Sequence, residues 1–97
     1  EATETPMEIA RACLQALQSA CRLSEIGNKA AASDAGVAAV MTEAALIGAL
    51  LNVDINTPSI KDLDYTGRVL AEKEKMLAEA GELRGRALAT VRQRING

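Results

Sequence analysis

The chain has no histidine, tryptophan or phenylalanine and only one tyrosine, with two cysteines and two prolines in 97 residues. With no histidine and no Cys-x-x-Cys pair, a structural zinc site loses its usual ligands. Without large aromatics the core has to be thin. Alanine supplies about a fifth of the residues, and each buried alanine removes little area from water at about 25 cal/mol per Å². Close helix packing or a partner has to supply the rest. Cys13 and Cys21 are eight residues apart; on one helix they are separated by a rise of about 12 Å, beyond disulfide reach. They read as small core residues of a reducing compartment.

The composition is 48% hydrophobic and 25% charged, with a net charge of -2. It is that of one folded soluble domain, without the basic footprint that nucleic acid or an anionic membrane selects. The stretch from Val37 to Val53 is apolar enough to raise a membrane helix. Glu43 lies inside it and Asp34 and Asp54 flank it, so a buried bundle helix is the better reading.

The pattern predicts an all-α fold of three helices. Thr5-Pro6-Met7-Glu8 carries a threonine cap, a proline at the first helical position and a glutamate three after the cap. It opens a helix over about 6–25, with Ile9, Cys13, Ala16, Ala20 and Leu23 as the apolar stripe, and Gly27-Asn28 ends it. A second helix is expected over about 33–55, starting at Ser33-Asp34. Val37, Val40, Met41, Ala44, Ile47, Leu51 and Ile55 make it buried on more than one side, and Gly36, Ala44, Ala45 and Gly48 allow close backbone approach. Thr57-Pro58 breaks the run. A very long C-terminal helix over about 60–96, capped at Ser59, carries Leu63, Leu70 and Leu77 beside Val69, Met76 and Leu83, then Leu88, Val91 and Ile95. At about 50 Å it overhangs the other two in an antiparallel bundle. A second copy or further helices N-terminal to these are expected to complete the bundle.

The order Pro6-Met7-Glu8-Ile9-Ala10, Gly27-Asn28, Ser33-Asp34-Ala35-Gly36-Val37, Gly48-Ala49-Leu50-Leu51-Asn52-Val53-Asp54-Ile55-Asn56 and Ile60-Lys61-Asp62 resembles the C-terminal half of the formiminotransferase-cyclodeaminase family. That family includes methenyltetrahydrofolate cyclohydrolases. The resemblance implies a cytoplasmic helical homodimer with no bound cofactor that takes a reduced folate, a tetrahydrofolate derivative, as substrate. Its activity is release of ammonia from 5-formiminotetrahydrofolate to give 5,10-methenyltetrahydrofolate, or hydration of the methenyl bridge. Asp34 is then the catalytic candidate, with Asn28, Ser33, Asn52, Asn56 and Lys61 as substrate-binding candidates. The resemblance places a glycine-rich segment and the principal catalytic carboxylate in an N-terminal half outside these 97 residues. The competing reading is a helical oligomerisation module without chemistry.

From the residues alone, Ser33-Asp34 is a helix cap and first-turn acid, Asn56 a helix end, and Lys61-Asp62 a solvated pair plus a cap. Tyr65 is a packing residue that could stack on a pterin. The run Glu72-Lys73-Glu74-Lys75 is a solvated helix face. Arg84, Arg86, Arg92 and Arg94 suit the negative end of the helix dipole.

Overall fold

In the computed structural model, which describes residues 3–96, the backbone forms α1 (Glu4–Ile26), α2 (Lys29–Asn56), a 3-10 turn (Thr57–Ser59) and α3 (Leu63–Asn96). No strand occurs among the described residues. The longest dimension is 53 Å, the length of α3 at 1.5 Å per residue.

Polar pairs fix the directions of the helices. Tyr65 with Glu4, Glu72 with Arg11, and Glu79 with Gln18 are each 61 residues apart, so α1 and α3 run parallel and meet once every seven residues. Glu43 with Arg84 and Asp54 with Lys73 rise on one helix as they fall on the other. So α2 runs antiparallel to α3.

Each helix starts at a different residue from the one its local signals suggest. In α1 the cap position belongs to Thr3, whose side chain makes no capping bond; its hydroxyl shares a 2.6 Å hydrogen bond with Tyr65 Oη instead. Pro6 then sits within the first turn, where no intrahelical N–H is needed. Helix α2 begins at Lys29, four residues before Ser33, because Asn28 Oδ1 accepts from the Ala31 N–H at 2.8 Å and Ala30, Ala31 and Ala32 are strong helix formers. Ser33 and Asp34 therefore lie inside the helix and do not cap it. Helix α3 starts at Leu63, where Asp62 Oδ1 accepts from the Tyr65 N–H at 3.0 Å, while Ser59 lies in the 3-10 turn.

Gly27 ends α1 with φ -76 and ψ 165, extended and not left-handed. Glycine is required there by space: a Cβ would stand 2.9 Å from Ala31 Cβ and 3.0 Å from the Leu23 carbonyl oxygen.

The core is thin, as the composition implies. Met7, Leu17, Leu46, Leu50 and Val53 are its large buried side chains, joined by Ala10, Ala39, Ala80 and Ala87. In α1 the inward stripe is Met7, Ala10, Leu17, Ala20, Cys21 and Ser24, spaced by threes, fours and sevens. It is rotated by about one residue from the expected one, which leaves Ile9 and Leu23 half exposed. Cys21 is buried and Cys13 half-buried, both free. In α3 the seam runs through Val69, Met76, Ala80, Ala87 and Val91, with Leu63 exposed.

Helix α2 departs furthest from expectation. Only one of its faces is buried, through Ala32, Ala35, Gly36, Ala39, Leu46, Ala49, Leu50 and Val53. Val37, Val40, Met41, Ile47, Leu51 and Ile55 point outward. Ala44, Ala45 and Gly48 are exposed with them. Gly36 alone of the small residues singled out on α2 meets a neighbouring helix closely, with Val91 Cγ2 2.9 Å from where its Cβ would be.

Past Arg86, which faces Glu25, α3 continues for about 15 Å beyond the end of α1. This overhang packs on the N-terminal half of α2 at Gly36. Arg94 Nη1 turns back to donate to the Glu25 carbonyl oxygen at 2.7 Å, satisfying an end group of α1. Helix α3 runs unbroken through Gly81 and Gly85.

Candidate functional site

The candidate residues fall into two groups at opposite ends of α2. At its N-terminal end are Asn28, Ser33 and Asp34. Asn28 is exposed, and its side-chain oxygen is engaged as the cap. Ser33 is half-buried at the rim of an apolar groove of about 310 Å³ with Gly36, Val37, Val40, Met41 and Leu88. Asp34 is exposed one residue on.

At the other end are Asn52, Asn56 and Lys61. Asn52 is exposed, and its carbonyl accepts from Asn56 Nδ2 at 3.0 Å. Asn56 is the last residue of α2, as expected of a helix end, and its carbonyl accepts from Ser59 Oγ at 2.9 Å. Lys61 is exposed in the connection to α3. Asp34 and Asn52 are about 27 Å apart along the helix axis. One chain therefore does not bring the carboxylate and the amide together.

The two are nonetheless in line. Eighteen residues are about five helical turns, so Asp34 and Asn52 lie on the same edge of α2. Between them runs the outward apolar stripe.

Tyr65 is not presented for stacking. Its hydroxyl donates to Glu4 Oε1 at 2.7 Å and meets Thr3, and Arg68 lies over the ring at 5.9 Å from the centroid. The run 72–75 is only half a solvated face. Arg11 donates to Glu72 through Nε at 2.7 Å and Nη2 at 2.8 Å, and this pairing holds the Glu72 carboxyl below its ordinary value and the guanidinium above its own. Lys73 donates to Asp54 at 2.8 Å, which raises the lysine. Glu74 and Lys75 are exposed. Of the four arginines near the end of α3, Arg84 pairs with Glu43 at 3.0 Å and Arg86 lies 3.9 Å from Glu25. They hold helices together besides serving the dipole. The seven-residue spacing of Arg11, Gln18 and Glu25 is a sequence signal for this seam, although the partners lie 61 residues away.

Such an arrangement supplies a carboxylate, amides, a hydroxyl and a lysine around an apolar surface. Among the described residues no group of three or more metal-ligating side chains gathers. The chemistry open to these side chains is proton transfer and hydrogen bonding.

The class defined so far is an all-helical unit with an uncovered apolar helix face bordered by polar groups. Residues 1–75 match the family model described as formiminotransferase-cyclodeaminase. Over 95 residues the chain is 38% identical to the methenyltetrahydrofolate cyclohydrolase of Methylorubrum extorquens, covering 98% of this chain and 46% of that protein. The chain belongs to the formiminotransferase-cyclodeaminase family. It spans about half the length of the curated relative it matches.

Proposed function

We propose that the chain forms the C-terminal half of a folate one-carbon enzyme that hydrates the methenyl bridge of 5,10-methenyltetrahydrofolate. The observation that carries this reading is the 38% identity across nearly the whole chain to a protein named for that activity. The family description supports a second reading, release of ammonia from 5-formiminotetrahydrofolate. Both reactions pass through a tetrahedral carbon between two nitrogens.

In the hydration, a water oxygen bonds to the electron-poor bridging carbon and the water loses a proton. One carbon–nitrogen bond then breaks, and the departing nitrogen takes up a proton. Asp34, exposed at one end of the apolar stripe, is the carboxylate that would accept the first proton. Asn52, Asn56 and Ser33 offer the amide and hydroxyl groups that would orient a pterin, and the apolar stripe offers a dry surface for its ring. Lys61 is the cation available to a folate carboxylate.

The test is titration of the chain with 5,10-methenyltetrahydrofolate, alongside its Asp34→Asn variant, with turnover followed by methenyl absorbance. Binding by both, with turnover lost in the variant by about 100-fold or more, is expected of a general base. No binding of 5,10-methenyltetrahydrofolate to the chain contradicts the reading. Equal turnover in a folded Asp34→Asn variant removes Asp34 from the site.

A further inference from the structure

We infer that the last turns of α3 clamp the turn between α1 and α2 and so position Asp34, with Arg94 as the positioning residue. That this position serves a reaction on folate rests on the reading proposed above; the clamp itself does not.

The end of α1 lacks what a helix C-terminus favours. It is the negative end of the helix dipole and is stabilised by a cation, yet the last turn of α1 contains no basic residue and carries the like charge of Glu25. The final carbonyl groups also have no partner within the helix. Arg94 answers both deficits from 69 residues away, with Nη1 donating to the Glu25 carbonyl oxygen at 2.7 Å. Arg86 adds a second cation 3.9 Å from the Glu25 carboxylate. Because α1 and α3 run parallel, Arg94, itself in the last turn of α3, serves the negative ends of both helices.

The turn that follows transmits this hold to α2. The Gly27 N–H donates to the Leu23 carbonyl oxygen at 2.9 Å, and Asn28 caps α2 through the Ala31 N–H. Ala31 Cβ also closes on Gly27, where a side chain has no room. The direction of the last turn of α1 therefore sets that of the first turn of α2, and Asp34 lies within about two turns of the cap. Just past Asp34, Gly36 meets Val91 of α3. Arg94 and Val91 are about one helical turn apart on α3. One short stretch of α3 thus holds both arms of the turn, with Asp34 between the two points of attachment. Arg86, Val91 and Arg94 all lie past residue 75, outside the stretch that matches the family model. Asn52, Asn56 and Lys61, at the other end of α2, are beyond the reach of this clamp.

Amide hydrogen exchange read by NMR tests the clamp in three variants. Arg94→Gln removes the cation, Arg94→Lys keeps a cationic donor, and Arg92→Gln removes the same charge from an exposed site on the same turn. Exchange in Arg94→Gln is expected to speed up roughly 5- to 30-fold at the end of α1 and over the first two turns of α2, Asp34 included, and to stay unchanged around Asn52. Arg94→Lys should recover most of the protection, and Arg92→Gln should match the unmodified chain. Equal exchange in Arg94→Gln and Arg92→Gln overturns the clamp, as does an acceleration spread evenly over all three helices. With 5,10-methenyltetrahydrofolate, Arg94→Gln is expected to lower kcat about fivefold or more with KM changed by less than about twofold, because Asp34 acts on the proton. Unchanged kcat in Arg94→Gln with loosened amides overturns the positioning of Asp34. Absence of turnover by the unmodified chain counts against the folate reading, and the exchange comparison decides the clamp without it.

Discussion

Replacing Gly36 with alanine sets two effects of known sign against each other. Within a helix, alanine in place of glycine is worth about 0.5 to 1 kcal/mol of stability. At Gly36 the added methyl would lie 2.9 Å from Val91 Cγ2, closer than carbon atoms pack. Valine on a helix is held near one χ1 rotamer, so relief has to come from separation of α2 and α3. Overpacking of this kind costs about 1 to 3 kcal/mol, which leaves Gly36→Ala less stable by about 1 kcal/mol. Gly85→Ala is the control, because a Cβ there meets nothing within 4 Å, and it should gain the full helical increment. Val91→Ala removes the clashing methyl, and the other Val91 atoms near the new Cβ are at 3.6 Å. In that background Gly36→Ala should be neutral or stabilising, a coupling of about 1.5 to 2 kcal/mol between the two sites. Urea unfolding at one fixed protein concentration reads all four as shifts of midpoint at constant slope. If Gly36→Ala stabilises as much as Gly85→Ala, α2 and α3 are not in contact as described.

Asn28→Ala removes the cap of α2 and should cost about 1 kcal/mol, whereas Asn28→Asp, which keeps the accepting oxygen, should lose little; thermal unfolding separates them. Leu46→Ala, at a site 0% exposed, should cost about 2 to 5 kcal/mol, while Leu63→Ala, 80% exposed, should stay within about 0.5 kcal/mol of the parent chain. Glu72 has its carboxyl lowered by Arg11, so its contribution is present above the ordinary carboxylate value and fades as pH falls through the lowered one. With its side chain 38% exposed, solvent screens the pair to at most about 1 kcal/mol. Glu72→Gln should be less stable than the parent at neutral pH, with the gap closing in strong acid, as followed by unfolding at each pH.

The three helices and both breaks between them are legible because Gly27-Asn28 and Thr57-Pro58 are strong local punctuation. Helix starts are less so. The Thr5 and Ser33 signals are genuine capping patterns, but Ala30 to Ala32 carry the helix upstream to Asn28, and Thr3 is drawn to Tyr65. Orientation was hardest to read on α2, where apolar residues surround the axis and leave no period to say which side faces in. Alanine packing chose the inner face, and the bulkier Val37, Met41, Leu51 and Ile55 were left outside. In α1 two neighbouring stripes are both apolar, and contact with the other helices selects the one through Met7 and Leu17. At the candidate site the residue types are legible, and the helical rise sets their separation: about five turns part Asp34 from Asn52, enough to align them and too far for one chain to join them.

The most direct test of the functional account supplies the protein with 5,10-methenyltetrahydrofolate and, separately, with 5-formiminotetrahydrofolate, and follows methenyl absorbance in each. The account predicts saturable binding of the first and a fall in absorbance faster than the buffer rate. Absence of binding, with absorbance unchanged relative to buffer in both experiments, would contradict it.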